Sequence, residues 1–367
     1  MRVDEILAHP DPYHMKIEEK NDLKFRAIKE SFLHHYENCA RYREYSESKK
    51  ITPEEIKNFD DLSKIPLLPI NIFKKYDLLS VKKEDIHIVA KSSGTTGNIS
   101  KVFKDKLTVE RLFKGVFKMM DWMVKKRGGF VGALNPPPEE NDAWMVQTVS
   151  LIFPQYFDKM EYFIKQGKID IEYMIKRLLN PATPKPRHLF GPPFAYLKVI
   201  EGLKKTGINI ELDNDSFAVT GGGWKMFADK SIPKGIFREM LSKEFSIPTE
   251  NIRDSYSCTE INSWIVDCKH FKKHIPPWLH VSIRNPENPD EEMEEGEEGL
   301  IAFLDPLAHS YPAFILTDDI GKIVVGENEV CECGSIGPCL HEDIRRAKGA
   351  EARGCALKLQ KLVNGIK

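Results

Sequence analysis

The chain of 367 residues lacks an excess of charge of either sign, because 54 lysines and arginines stand against 55 aspartates and glutamates. Charges of both signs are mixed along the chain, so no broad basic surface is available for a polyanion, which argues against nucleic acid as a partner. The sequence also lacks any uncharged apolar run near the roughly 18 residues that a membrane span needs. Its N-terminus, MRVDEILAHPDPYHMK, has no apolar signal core. We therefore expect a cytoplasmic protein without a membrane span.

Cysteine is scarce, with seven residues in the whole chain. An odd number of cysteines without a secretory signal does not indicate a disulfide framework, and leaves metal-binding, catalytic or simply buried thiols as interpretations. The length of the chain is sufficient for two domains, or for one large domain with an appendage.

The Walker A phosphate loop is also missing. The segment closest to it in composition, SSGTTGNISK, spans residues 92–101, but Ile99 and Ser100 stand where that motif requires glycine and lysine. Glycines still allow backbone N–H groups to approach an anion, while hydroxyls and a lysine add donors and charge. By itself the segment is therefore either a polyphosphate-binding loop or a polar surface loop.

The elements predicted around this loop favour an α/β architecture. The β-prone run IHIVA precedes the loop and KVFKDK follows it, so the loop is predicted to join two strands, after which Thr108 can cap a long helix through Lys126. Farther along, apolar runs such as FVGALN and WMVQTVSLIF alternate with helical stretches such as KIDIEYMIKRLL. The run FAVT leads into Gly221, Gly222 and Gly223, and open α/β sheets bind ligands at such strand ends.

Four segments, in order, resemble the motifs of the adenylate-forming superfamily of acyl-CoA synthetases, luciferases and peptide-synthetase adenylation domains. They are SSGTTGNISK (phosphate loop), TGGGWK (adenine turn), SYSCTE (Y-G-x-T-E motif) and FILTDDIG (Y-x-T-G-D-L-G motif). Two residues depart from these patterns, since Ser257 and Asp318 replace glycines. The resemblance implies an α/β adenylate-forming fold, in which residues 1–342 form a large adenylation domain with mixed sheets and helices.

The same resemblance implies ATP and Mg²⁺ as cofactors, together with a set of residues that bind the nucleotide. That set comprises Ser92, Ser93, Gly94, Thr95, Thr96, Gly97, Gly221, Gly222, Gly223, Tyr256, Thr259 and Asp319. Within it, Tyr256 would stack on adenine, Thr259 would contact the α-phosphate and Asp319 would bind the ribose hydroxyls. Lys101 and Glu260 would act in catalysis, with Glu260 holding Mg²⁺. Attack of a carboxylate on the α-phosphate requires an oriented nucleotide with neutralised charge.

Closely spaced cysteines suggest a zinc site. Cys331 and Cys333 in the turn-like stretch CECG could supply two of four tetrahedral ligands. Cys268 and His274 resemble the Cys/His pair that accompanies C-x-C-G in the phenylacetate-CoA-ligase-like branch of the superfamily. His270 and His280 compete as histidine ligands, Cys339 competes as a thiol, and all of these cysteines could also be ordinary turn residues. Four protein ligands would make the zinc structural, because no coordination position stays open.

The C-terminal segment, residues 343–367, is too short for the small mobile domain that adenylate-forming ligases usually carry. It contains Cys355, whose basic neighbours Arg345, Arg346, Lys348 and Arg353 would favour a thiolate and hence a nucleophile. The other interpretation places Cys355 on the apolar side of a short terminal helix.

A short adenylating chain with TGGGWK, HIPPW and a cysteine near its C-terminus resembles the acyl-protein synthetase (LuxE-type) family of bacterial fatty-acid reductase systems. The resemblance implies that a long-chain fatty acid is activated as acyl-AMP, and that the acyl group passes to Cys355. An acyl-CoA-reductase-like (LuxC-type) partner would then receive it. Two alternatives stay open: an acid–CoA ligase that uses coenzyme A as acceptor, and a non-catalytic subunit that binds acyl chains or a partner.

Overall fold

The computed structural model describes residues 2–92, 99–124, 126–223 and 232–347. The described chain divides into two compact units. The first consists of Met1–Lys118, Cys258–Ile265 and Lys272–Lys367, and the second of Met119–Ser257 and Val266–Phe271. In the part of the chain that is described, no helix is both long and apolar enough to cross a membrane.

The first unit begins with three helices, α1 (Val3–Ala8), α2 (Ile17–Asn38) and α3 (Ala40–Ser48). The strands β2 (Ile86–Lys91) and β3 (Lys101–Asp105) then form an antiparallel pair in which Lys91 lies opposite Lys101. The glycine-rich segment joins these two strands, as the sequence predicts. Lys101 is consequently the first residue of the strand that leaves the loop.

The helix after β3 starts earlier than the sequence suggests. Helix α4 spans Lys106–Met123, and the Asp105 carboxylate caps it by accepting a hydrogen bond from the Thr108 N–H at 2.9 Å. The prediction that Thr108 is the cap and that the helix reaches Lys126 is therefore wrong. The Thr108 hydroxyl instead accepts a hydrogen bond from the His309 N–H at 2.9 Å, a contact from a distant part of the chain.

Two sheets complete the first unit. One has the strand order β1 (Leu68–Pro69), β15 (Phe314–Gly321), β14 (Gly299–Leu304) and β13 (His280–Arg284), and β18 (Arg345–Arg346) also pairs with β15. All six residues of β14 are buried, so this sheet lies in the core. The other is an antiparallel set in which β17 (Cys339–Leu340) lies between β12 (Lys273–His274) and β16 (Ile323–Val325).

The second unit contains a parallel sheet with the strand order β5 (Lys159–Tyr162), β4 (Phe130–Ala133), β8 (Arg187–Gly191), β9 (Ala218–Gly221) and β10 (Ile252–Tyr256). Next to β10 lies β11 (Ile265–Asp267), and β6 (Ile164–Lys165) forms a small hairpin with β7 (Lys168–Ile169). The described residues of this unit include the helices α5 (Trp144–Tyr156), α6 (Ile171–Leu178), α7 (Pro193–Thr206) and α8 (Lys234–Phe245). Parallel strands need such crossover connections.

The alternation of apolar and helical segments predicted an α/β fold, and this is confirmed. One apolar run differs from the strand-like interpretation, because WMVQTVSLIF lies within helix α5. Trp144, Thr148, Val149, Ile152 and Phe153 are buried along it, at the i, i+4 and i+5 spacing of a helix face. A run of this length without turn residues fits a buried helix better than a strand.

Candidate functional site

The ends of the predicted phosphate loop are described, but six of its residues lie outside the described part: Ser93, Gly94, Thr95, Thr96, Gly97 and Asn98. The Ser92 N–H donates to the Ser100 carbonyl at 3.1 Å, and the Ser100 N–H donates to the Ser92 hydroxyl at 3.0 Å. These two bonds close the base of the loop. Lys101 follows directly and is exposed, which leaves its charge in a position to meet an anion.

Glu260, the predicted Mg²⁺ ligand, lies against the end of this loop. Only 4% of its surface is exposed. Burial raises the pKa of Glu260, while the Ser100 side chain and the charges of Lys104 and Lys74 act in the opposite direction. A carboxylate oxygen is the hard ligand that Mg²⁺ prefers, so the chemistry of Glu260 fits the prediction.

A fully buried lysine near Glu260 was missed by the sequence reasoning. Lys104 has no exposed surface, and its Nζ donates to Asn262 Oδ1 at 3.1 Å and to the Tyr311 hydroxyl at 2.9 Å. Burial lowers the pKa of Lys104 to about 7, against the opposing effects of Asp305 and Glu260. The sequence does contain a signal for this burial. Lys104 lies two residues after the buried Val102, and side chains two residues apart in a strand share a face of the sheet.

Asp319, the predicted ribose ligand, is paired with an arginine. Arg346 of β18 lies opposite Asp319 of β15, and its guanidinium lies 3.2 Å from Asp319 Oδ1 and 3.2 Å from Asp318 Oδ2. A nucleotide ribose would have to share Asp319 with this guanidinium or displace it. Asp318 replaces a motif glycine, and in this structure it supplies the second carboxylate that Arg346 contacts.

The basic setting predicted for Cys355 is partly neutralised. Arg345 makes a bidentate contact to Glu298, with distances of 3.1 and 2.6 Å, and Arg346 faces Asp318 and Asp319. Four basic residues near Cys355 in the sequence were expected to favour its thiolate. Two of them, Arg345 and Arg346, are already paired with carboxylates. Cys355 itself lies outside the described residues.

In the second unit, the glycine turn and Tyr256 lie at the carboxyl ends of neighbouring parallel strands. Gly221 of β9 pairs with Ser255 of β10, one residue before Tyr256. Gly222 and Gly223 have φ values of 79° and 61°, which non-glycine residues rarely adopt. This edge is where open α/β sheets bind ligands, and the assignment of the turn and Tyr256 to the adenine stays a prediction. Thr259 belongs to the first unit and is partly exposed.

Three of the four predicted zinc ligands come together in the first unit. The ligand atoms of His274, Cys331 and Cys333 lie within 4.8 Å of one another. His274 Nε2 is 3.2 Å from Cys333 Sγ and 3.3 Å from the Sγ of Cys339, the competing thiol. The hydrogen bond from Cys339, and then that from His274, lowers the pKa of Cys331 to about 4 despite its burial. A thiolate at neutral pH is the form that binds zinc.

Cys268, the fourth predicted ligand, belongs to the second unit. Its Sγ accepts a hydrogen bond from the His270 N–H at 3.3 Å. Its assignment as a zinc ligand stays a prediction, as does the choice between Cys268 and Cys339.

Comparison with known proteins places these features in a family. The profile of the acyl-protein synthetase family LuxE matches residues 1–363. The long-chain-fatty-acid–luciferin-component ligase of Aliivibrio fischeri is 29% identical over 370 residues, which covers 98% of this chain and 94% of that protein. The corresponding ligase of Vibrio harveyi is 28% identical over 365 residues, with coverages of 97% and 92%.

A solved structure supports the fold independently of sequence identity. The crystal structure of 2-hydroxyisobutyryl-CoA ligase in the postadenylation state, in complex with 2-HIB-AMP, aligns with a TM-score of 0.73 at 14% identity, covering 92% of this chain and 70% of that chain. The chain therefore has the adenylate-forming fold, and it belongs to the LuxE family of acyl-protein synthetases, which are ligases.

Proposed function

We propose that the protein uses ATP to activate a long-chain fatty acid and then carries the acyl group on Cys355. The observation that carries the first half is the pair of hydrogen bonds between Ser92 and Ser100, which close the base of the phosphate loop, together with the buried carboxylate of Glu260, on whose pKa Ser100 acts. It links the predicted phosphate loop to the predicted Mg²⁺ ligand. Long-chain acids are favoured as substrates because the two similar ligases are named for them.

In the adenylation step, a fatty-acid carboxylate oxygen attacks the α-phosphorus of ATP, and the bond to pyrophosphate breaks. Residues 92–97 and Lys101 would bind the β- and γ-phosphates, and Gly221–Gly223 with Tyr256 would hold the adenine. Asp319 would bind the ribose and Thr259 the α-phosphate. Mg²⁺ held by Glu260 would neutralise phosphate charge during the displacement.

In the transfer step, the Cys355 thiolate attacks the carbonyl carbon of the acyl-adenylate, and the bond to the AMP oxygen breaks. The products are a thioester on residues 343–367 and free AMP. An acyl-adenylate is a strong acylating agent, and a short tail can present the thioester to a second protein. We propose a LuxC-type acyl-CoA reductase as the receiver. Coenzyme A is the alternative acceptor.

The adenylation half is tested by ATP–pyrophosphate exchange across a panel of acids that includes medium-chain, long-chain and aryl acids. We expect exchange that depends on a long-chain fatty acid. A response to aryl acids alone would contradict the proposed substrate class. If the purified protein catalysed no exchange with any acid, the non-catalytic subunit would be the better interpretation.

We also propose that His274, Cys331 and Cys333 bind a structural zinc ion with a fourth thiolate. Metal analysis of the purified protein is expected to give about one zinc per chain, as for tetrahedral structural sites. Cys333→Ser should lose the metal and lower the melting temperature, whereas Cys39→Ser, at a buried cysteine outside the cluster, should keep it. Zinc in equal amount in Cys333→Ser and the parent protein would refute the site. Cys268→Ser and Cys339→Ser then identify the fourth ligand.

A further inference from the structure

Lys104 is a buried cation for which the proposed function gives no role. It lies three residues after Lys101 on the strand that leaves the phosphate loop, and none of its surface is exposed. Moving a lysine amine out of water is costly, and apolar replacements of buried ion pairs are often neutral or stabilising. Stability alone is therefore a weak reason for a lysine at this position.

The partners of Lys104 connect it to the segment that carries Glu260. Its Nζ donates to Asn262 Oδ1, two residues after Glu260, and to the Tyr311 hydroxyl, with the Tyr311 ring centre 4.9 Å away. The amine and the ammonium can both donate these bonds, so the link is independent of protonation. Lys104 thus joins the exit strand of the phosphate loop to the predicted Mg²⁺-binding segment.

The Glu260–Ser263 segment is held by further bonds that leave Asn262 fixed. The Asn262 N–H donates to Asp305 Oδ2 at 2.7 Å, and its side-chain amide donates to the Thr108 carbonyl at 2.7 Å. The Trp278 indole N–H donates to the Ser263 hydroxyl at 3.0 Å. Because its side-chain amide and its backbone N–H make these bonds, Asn262 links the position of Lys104 to the segment that begins at Glu260.

We propose that Lys104 is a positioning residue for adenylation. Through Asn262 and Tyr311, it holds the Glu260–Ser263 segment at a fixed position relative to the phosphate loop. The proposal rests on the proposed function, because it assumes that Glu260 serves a metal-nucleotide complex. It predicts that loss of Lys104 acts on metal dependence and turnover and leaves the affinity for the fatty acid unchanged. A misplacement of about 1 Å can reduce a rate on the order of 100-fold.

The experiment compares Lys104→Met with Lys24→Met. Lys24 is a matched control, since it is also fully buried in the first unit and pairs with Glu327 at 2.7 Å, outside the Glu260 segment. For each variant we would measure the melting temperature, Mg·ATP binding by calorimetry and pyrophosphate exchange as a function of Mg²⁺ concentration. Lys104→Met should raise the Mg²⁺ concentration for half-maximal exchange and lower kcat by roughly 10- to 100-fold, with an unchanged KM for the acid.

The possible results distinguish a failure of this proposal from a failure of the proposed function. If both variants lost stability to a similar extent and kept the parental Mg²⁺ dependence, Lys104 would be purely structural and the proposal would be overturned. Should Lys104→Met fail to fold, Asn262→Ala decides, because it removes the other end of the same link: a raised Mg²⁺ requirement supports the proposal and an unchanged one overturns it. Absence of exchange in the parent protein would refute the proposed function. The role of Lys104 would still be tested, because calorimetry compares Mg·ATP binding by Lys104→Met with binding by the parent protein.

Discussion

Replacement of Cys355 by serine is expected to abolish the covalent acyl-protein while leaving fatty-acid-dependent ATP–pyrophosphate exchange intact. Exchange requires only the adenylate, whereas the transfer requires a thiolate that attacks its carbonyl. A serine hydroxyl without an adjacent base is a far weaker nucleophile at neutral pH than a cysteine, a few per cent of which is ionised even unperturbed. The two steps should therefore separate completely in this variant.

The measurement uses radiolabelled long-chain acid with ATP and Mg²⁺, followed by denaturing gel electrophoresis and treatment with neutral hydroxylamine. The parent protein should retain label that hydroxylamine removes, as expected of a thioester. Cys39→Ser is the control, since Cys39 is a free, buried cysteine whose pKa is raised by its burial. If Cys355→Ser retained hydroxylamine-sensitive label to the parental extent, another residue would be the carrier.

The pairing of Arg345 and Arg346 bears on how readily Cys355 ionises. Because both arginines already face carboxylates, the local field near the start of the tail is weaker than the sequence suggests. A nucleotide ribose that bound to Asp319 would compete with Arg346 for this carboxylate. The reactivity of Cys355 is thus a property to be measured on the full chain with nucleotide present.

Replacement of Glu260 by glutamine is the second large expected effect, a loss on the order of 100-fold in the rate of adenylation. Glutamine has nearly the same size as glutamate, but it lacks the negative charge that a Mg²⁺ ligand supplies. A buried site gives that charge a larger electrostatic effect than it would have in water. Since the amide also avoids the desolvation of a buried carboxylate, the melting temperature should be unchanged or raised.

Single-turnover formation of acyl-AMP at saturating acid, measured over a range of Mg²⁺ concentrations, checks this prediction. Glu327→Gln is a matched control, because Glu327 is a largely buried carboxylate of the first unit that pairs with Lys20 and Lys24. It should lose stability and keep its adenylation rate per folded molecule. A Glu260→Gln variant with the parental rate would remove Glu260 from the proposed site.

Much of the fold could be predicted because its signals are local. The strand–loop–strand arrangement around residues 92–101 follows from β-prone runs on each side of a glycine-rich segment, and β2 and β3 confirm it. The helix predicted from KIDIEYMIKRLL is α6, which Asp170 caps by accepting a hydrogen bond from the Tyr173 N–H at 2.9 Å. The strand-like interpretation of WMVQTVSLIF is wrong, because the length of this apolar run and the spacing of its buried residues fit helix α5.

Residue identity and spacing along the chain are sufficient to indicate the family, the order of the motif-like segments and the absence of a Walker A loop. Which side chains meet depends on how the elements pack. Asp105 rather than Thr108 caps α4, Cys339 approaches His274, Arg346 pairs with Asp319, and Lys104 is buried against Asn262. These contacts join residues from different elements, and most of the pairs are far apart in the sequence. Hydrogen bonds and burial between such residues depend on how strands and helices pack, which no local pattern encodes.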